Sequence, residues 1–274
     1  MTKELHIKPT FILCIYSKDK PNFISSAIES CINQTINCNI YIYVDGKVGS
    51  NIKKCLESYA LHESISIFRG ENNRGLAFGL NFLIEKCLES KTKYIFRMDA
   101  DDISVKDRVA QQLEFFENNS HVDVVGSDVI EIDDFGNETF YKSMESDTKK
   151  IYEKIIKKCP LNHPSVAFRR GFFEMGLRYN DNLKNTQDYY LWVDALDIGV
   201  NLSNINRPLL YFRVDKNFHQ RRGLKKAIND VKSRLYAFQK LNVRNTSNYI
   251  HVFSLFILRI SPPFVKKYVY KRFR

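Results

Sequence analysis

KYIFRMDADDIS, residues 93–104, joins an apolar run to three carboxylates within four positions. Asp99, Asp101 and Asp102 repel one another, so the cluster costs free energy unless a cation or a ligand compensates. The apolar half reads as a buried strand, and the acids stand where it ends. The same pattern recurs upstream. TFILCIY (10–16), NIYIYVD (39–45) and SISIFRG (64–70) are continuous apolar runs, as expected for parallel strands buried on both faces. Between them KPNFISSAIESCINQ (20–34), SNIKKCLESYA (50–60) and RGLAFGLNFLIEKCLES (74–90) have helical spacing, the first with Pro21 at its start. VKDRVAQQLEFFENN (105–119) and VDVVGSDVIEID (122–133) continue as helix and strand. The alternation predicts an α/β fold, a mostly parallel central sheet flanked by helices on both faces.

Beyond residue 140 the pattern changes. The spacing predicts a helix over 148–159, a strand over 164–170, a helix over 186–199, a strand over 207–214 and a long basic helix over 223–241. No internal repeat or low-complexity linker interrupts the chain. Residues 1–215 read as one continuous α/β unit, and 216–274 as a basic helical extension.

Strand ends decide where a ligand would sit. In open parallel sheets ligands bind beyond the carboxyl ends of the strands. Asp45 and Asp99 each close an apolar run, a poor place for a core residue and a good one for a ligand contact. Asp102 or Ser104 could instead cap the helix that follows. A calcium loop starting at Asp99 fails, because Gly and Glu are required where Ser104 and Ala110 stand. A hard divalent cation, Mg²⁺ or Mn²⁺, shared between one or two carboxylates and ligand phosphates fits better.

Composition narrows the class. The chain has 274 residues, 44% hydrophobic and 13% aromatic, which suits a folded globular protein. Its six cysteines form no CxxC pair and read as buried free thiols in a reducing compartment. The net charge of +11 is unevenly placed. Residues 216–274 hold fifteen Lys/Arg and one acid, Asp230; the first 215 hold 27 basic and 30 acidic side chains, a net −3. A basic tail on a near-neutral body argues against a nucleic-acid protein and points to an anionic membrane surface. No signal peptide is visible at the N-terminus, and no apolar run reaches the roughly 18 residues that span a bilayer. The segment YIHVFSLFILRISPPFVKKYVYKRFR (249–274) mixes apolar, aromatic and basic residues, as a segment lying in the membrane interface does, with Pro262-Pro263 dividing it. A helix packed on the body is the other reading.

Over roughly residues 8–215 the chain resembles the family 2 glycosyltransferases of the GT-A fold. The resemblance rests on ordered motifs: Ser30, Gln34 and Thr35 closing the first helix; YVDGKVGS; Asn73, Gly75 and Asn81 in ENNRGLAFGLN; RMDADD as the DxD motif; LNHPSVAFRR; and QDYYLW. It implies a metal-dependent inverting transferase that passes a sugar from a nucleotide donor, UDP-linked, to a glycan or lipid-linked acceptor of bacterial O-antigen or capsule. Residues 8–104 would be the nucleotide-sugar half and 105–215 the acceptor half. Tyr16 and Asp45 would contact the nucleotide, Asp45 through the base. Asp99 would face the ribose or sugar, Asp101 would bind the metal with Asp102 as helper, and Arg74 and His219 would meet the diphosphate. Asp188 would be the catalytic base, although Gln187 stands where the family has Glu, and Val44 stands before Asp45 where a second acid is common. His163 and Trp192 are acceptor-side or core residues. Such an enzyme would be cytoplasmic, held peripherally on the inner face of the cell membrane. Two other classes were weighed. DADDI loosely resembles the nucleophile motif of haloacid-dehalogenase-like phosphatases but follows the fourth strand instead of the first. A non-catalytic sugar-nucleotide or membrane scaffold would have no use for Asp101 and Asp188.

Overall fold

A computed structural model describes residues 8–183, 185–214 and 224–261. The elements follow in order: β1 (Thr10–Ile15), α1 (Pro21–Ile32), β2 (Asn39–Val44), α2 (Ser50–Glu57), β3 (Ile65–Arg69), α3 (Leu76–Glu89), β4 (Tyr94–Asp99), β5 (Ile103–Ser104), α4 (Arg108–Asn118) and β6 (Val124–Ile132). Then come β7 (Glu138–Lys142), α5 (Thr148–Lys154), a 3-10 turn at His163–Ser165, β8 (Ala167–Arg169), α6 (Arg170–Glu174), α7 (Gln187–Asp197), β9 (Leu202–Arg213), α8 (Leu224–Lys240) and α9 (Thr246–Ile260).

One nine-stranded sheet runs β3-β2-β1-β4-β8-β6-β9-β5, with β7 paired to β6. β3, β2, β1 and β4 are parallel neighbours. β8 enters antiparallel between β4 and β6, and β9 returns parallel to β6. The strand order reverses at β1, which has β2 on one side and β4 on the other. At such a switch point open parallel sheets bind ligands beyond the carboxyl ends of their strands.

Two cores fill the faces. On one, Leu80, Leu83 and Ile84 of α3 meet Phe168, Phe172 and Trp192. On the other, Ile24 and Ile28 of α1, Leu56 of α2 and Phe116 of α4 cover Leu13, Ile42 and Phe96. Each such side chain contributes about 1.5–3 kcal/mol by leaving water. β1 to β4 therefore form where their mainly apolar runs predict.

The second half departs in detail from the sequence reading. The strand predicted over 164–170 shrinks to Ala167–Arg169, because Pro164 sits in the 3-10 turn and Arg170 starts α6. The helix predicted over 148–159 ends at Lys154, and β9 begins five residues before the predicted 207. The helix-cap role weighed for Asp102 and Ser104 is not what forms, since Asp107 occupies the N-cap of α4. α8 packs on α7: the Tyr190 and Tyr236 rings lie 4.6 Å apart and the Tyr236 hydroxyl donates to Asp194 Oδ1 at 2.5 Å. Among the described residues no helix is long and apolar enough to cross a membrane.

Candidate active site

The acidic triad stands where β4 ends. One oxygen from each of Asp99, Asp101 and Asp102 falls within 4.8 Å of the others. The loop carrying them is latched from α1. The Ser104 N–H donates to Ser30 Oγ at 3.0 Å, Gln34 Nε2 donates to the Val105 carbonyl at 2.9 Å, and Gln34 Oε1 accepts from the Val109 N–H at 3.1 Å. Ser30 and Gln34 thus hold the acids in place, giving the helix-end motif a structural role.

Each acid has its own surroundings. Asp99 is part-exposed and accepts a hydrogen bond from Arg97 Nη2 on the same strand. Asp101 is exposed by area yet enclosed by neighbours; burial and then the Asp99 charge push its carboxyl up to about 6. Asp102 is buried, and its Oδ1 accepts from the Arg213 N–H at 2.8 Å. Its Oδ2 has no hydrogen-bond partner among the described residues. Burial, Asp99 and Asp101 together raise Asp102 well above the usual carboxylate range. Arg213 also donates from Nε to the Asp101 carbonyl at 2.9 Å, so β9 braces the loop from the far side. The donor set is all oxygen, tightly grouped, and includes a buried oxygen with an open lone pair. It therefore fits a hard divalent cation that takes its remaining ligands elsewhere.

The nucleotide-side residues Tyr16 and Asp45 follow the carboxyl ends of β1 and β2, the strands beside β4 in the parallel half of the sheet. Asp45 follows β2 and is buried; its two oxygens accept from the Arg74 and Gly75 N–H groups, each at 2.8 Å. It fixes the turn into α3. Gly46 lies against that turn with φ +80°, and a Cβ there would come within 2.6 Å of Asn73 N. Only glycine permits this approach. The exposed Arg74 guanidinium lies 3.5 Å from the centre of the Phe78 ring. The exposed Tyr16 donates its N–H to Asp19 Oδ2 at 2.8 Å. His219 lies outside the described residues.

Asp188 occupies the first turn of α7, just after Thr186, a left-handed residue at φ 63°. Its carboxylate is raised above its ordinary value by burial, against the lowering effects of the Tyr189 N–H and the Arg97 charge. Cys159 Sγ lies 4.0 Å from its Oδ2. Gln187 beside it is buried with Oε1 unpartnered. His163 is buried, bonds Tyr179 Oη through Nε2 at 2.8 Å, and is held neutral by burial and by Arg97. Of the two readings of Trp192, acceptor-side or core, the core reading is the one its burial fits. Trp192 is wholly buried, stacked on Phe168 at 5.9 Å, and offers no face to a sugar.

The sequence reading passed over Arg97, Asp19, Arg213 and the Asn81–Tyr179 pair. A lone arginine inside the apolar run YIFRMD was the available signal for the first. Asp19 carries none: its place near the triad comes from the β1–α1 turn, and burial followed by Asp101 and Asp99 pushes its carboxyl up to about 7.

Comparison with known proteins bears on family and fold. The chain is 31% identical over 97% of its length, and 96% of the relative's, to "UDP-Gal:alpha-D-GlcNAc-diphosphoundecaprenol beta-1,3-galactosyltransferase" of Escherichia coli. It is 28% identical to the amylovoran biosynthesis glycosyltransferase AmsE of Erwinia amylovora, over 96% of this chain and 98% of that one. Among solved structures, S. aureus TarS 1-349 in complex with UDP superposes with a TM-score of 0.67 at 13% identity, covering 90% of this chain and 70% of TarS. The mannosyltransferase PcManGT from Pyrobaculum calidifontis, in complex with GDP-Man and Mn²⁺, gives 0.60 at 12% identity, over 90% and 68%. The curled, mostly parallel sheet is thus that of the GT-A transferases. The family model for Glycosyl transferase family 2 matches residues 10–177, from the start of β1 to the loop before α7. A match through both halves of the sheet, with a relative aligned along nearly the whole of each chain, places this protein in glycosyl transferase family 2.

Proposed function

We propose that the protein is a metal-dependent, inverting glycosyltransferase that passes a sugar from a UDP-linked donor to a lipid-linked or glycan acceptor in bacterial surface-polysaccharide synthesis. The observation that carries this reading is the oxygen triad at the end of β4, with its buried, unpartnered Asp102 Oδ2. The E. coli relative, whose name specifies UDP-Gal and a diphosphoundecaprenol acceptor, supports the donor and acceptor classes.

Asp101 and Asp102 would hold Mn²⁺ or Mg²⁺. When bound, the cation neutralises charge that develops on the leaving diphosphate. The remaining steps belong to this chain. Asp45 sets the turn before α3 along which the base lies, and Arg74 presents its guanidinium toward the diphosphate. Asp99 offers its free oxygen to the ribose or sugar. Asp188 takes the proton of the acceptor hydroxyl as that oxygen attacks the anomeric carbon. The new bond forms opposite the breaking glycosyl–phosphate bond, so configuration inverts. A part-buried carboxylate of raised basicity suits this task, typically contributing about 10²–10⁴-fold in rate. A screen of UDP-, GDP- and dTDP-sugars against a polyprenyl-diphosphate-sugar acceptor tests the reading. Transfer with inverted anomeric configuration is expected from a UDP-sugar; retained configuration contradicts it.

An anionic membrane surface remains the proposed partner of the C-terminal segment, at the inner face of the membrane. α9 supports this. Asn248 and Val252 face the body, where Arg259 pairs with Asp230 at 2.7 Å. At 3.6 residues per turn, Ile250, Phe253, Ile257 and Ile260 fall on the side away from the body, all exposed, while Tyr249 packs its ring 4.8 Å from that of Phe238. An apolar outer stripe followed by a sequence with five Lys/Arg and no acid over 262–274 is the composition of an interfacial helix.

A further inference from the structure

Arg97 is the one residue of β4 that chemistry would not choose for a core. It is 2% exposed. Its backbone is pinned on both sides: its N–H donates to the Val166 carbonyl at 3.0 Å, and its own carbonyl accepts from Arg108 Nη2 at 2.9 Å. Its side chain reaches along the strand and gives Nη2 to Asp99 Oδ1. Nε and Nη1 have no hydrogen-bond partner among the described residues. A buried guanidinium satisfied at one nitrogen of three is costly, and such groups in native proteins call for an explanation.

We propose that Arg97 is a positioning residue: a built-in counter-ion that engages one oxygen of Asp99 and keeps this carboxylate off the cation, leaving the metal to Asp101 and Asp102. The inference rests on reading the triad as a metal site. Among the described residues, Asp99 is the one acid of the three paired with a side-chain cation. Arg213 hydrogen-bonds the Asp101 carbonyl and not its carboxylate, and Asp102 keeps an oxygen open among the described residues. The arrangement divides three adjacent carboxylates into one donor contact and two ligands. It also tempers the affinity of the empty site for cations, because a fixed positive charge sits against it.

The test is Mn²⁺ affinity measured by calorimetry without nucleotide, on wild type, Arg97→Met, Asp99→Asn and the double variant. Arg97→Met is expected to bind Mn²⁺ about tenfold tighter, since a repulsive charge is removed and an oxygen is released. The double variant removes both charges and leaves neither partner of the Arg97–Asp99 pair as an unpaired ion, so it keeps the fold even where the single does not. It is expected to bind Mn²⁺ within about threefold of wild type, and about tenfold tighter than Asp99→Asn, which leaves Arg97 unopposed. Arg97→Lys, which keeps the charge but not the fork, is expected to retain wild-type Mn²⁺ affinity while kcat falls more than donor KM rises. Removal of Arg97 without any tightening, in either background, overturns the inference while leaving the metal reading intact. Absence of Mn²⁺ binding in all four proteins, with and without UDP, overturns both.

Discussion

Asn81 and Tyr179, 98 residues apart, hold one another by two hydrogen bonds. Asn81 Nδ2 donates to the Tyr179 carbonyl at 2.8 Å, and its Oδ1 accepts from the Tyr179 N–H at 3.0 Å. Asn81 lies on α3, the helix that the Asp45-bound turn begins, and Tyr179 lies on the segment leading to Asp188. The Tyr179 hydroxyl meets His163 Nε2. One amide therefore ties the donor-side helix to the loop that delivers the proposed base.

Asn81→Ala should expose this coupling. It leaves a backbone N–H and carbonyl without partners, which costs about 2 kcal/mol. Urea unfolding is expected to show that loss. Steady-state kinetics should show kcat reduced about tenfold with donor KM within about threefold. A stability loss with kcat unchanged would separate the clamp from catalysis.

Asp188→Asn addresses the base. The variant is expected to bind UDP and Mn²⁺ within about threefold of wild type and to lose about 10²–10⁴-fold in kcat. In the wild type, burial raises the Asp188 carboxyl. Because Asp188 acts deprotonated, activity should fall as pH drops through that raised value, giving an acid limb above the ordinary carboxylate range. A flat pH profile, or full activity in the amide variant, would remove Asp188 from this role.

Asp19 makes a stability prediction. Its pKa rises from 3.8 to about 7 on folding, through burial and then Asp101 and Asp99. The folded state thus binds its proton more tightly than the unfolded state. The contribution to stability is favourable below the unfolded pKa and is lost as pH rises through the interval from 3.8 to about 7. Asp19→Asn keeps an amide oxygen for the Tyr16 N–H and removes the charge. The metal-free variant is expected to melt about 2 °C or more above wild type at pH 8, and level with it at pH 4.

For the tail, Phe253→Glu with Ile257→Glu on the outer stripe of α9 should abolish sedimentation with anionic liposomes. Transfer to a water-soluble acceptor should be unchanged. Undiminished liposome binding would move the membrane contact elsewhere.

The parallel half of the sheet was legible because β1, β2 and β4 are largely buried and β3 at the edge is partly so; their runs are mostly apolar and their ends are marked by Asp45, Gly70 and Asp99. The antiparallel insertion was not. β8 has three residues, too few for a periodicity, and its place between β4 and β6 is decided by distant partners. The candidate acids were legible one by one as strand-end carboxylates and through the motif order. Their division of labour was not, because it depends on Arg97 Nη2 and the Arg213 N–H, contacts that no spacing encodes. Trp192 shows the same limit: an aromatic on a helix reads alike whether it faces a sugar or, as here, Phe168.

The most direct test of the account is UDP binding measured calorimetrically with Mn²⁺ and in EDTA, on wild type and Asp101→Asn. The account expects Mn²⁺ to tighten UDP binding at least about tenfold in wild type and not in the variant, since the cation bridges carboxylate and diphosphate. Equal UDP affinity with and without Mn²⁺ in wild type would contradict it.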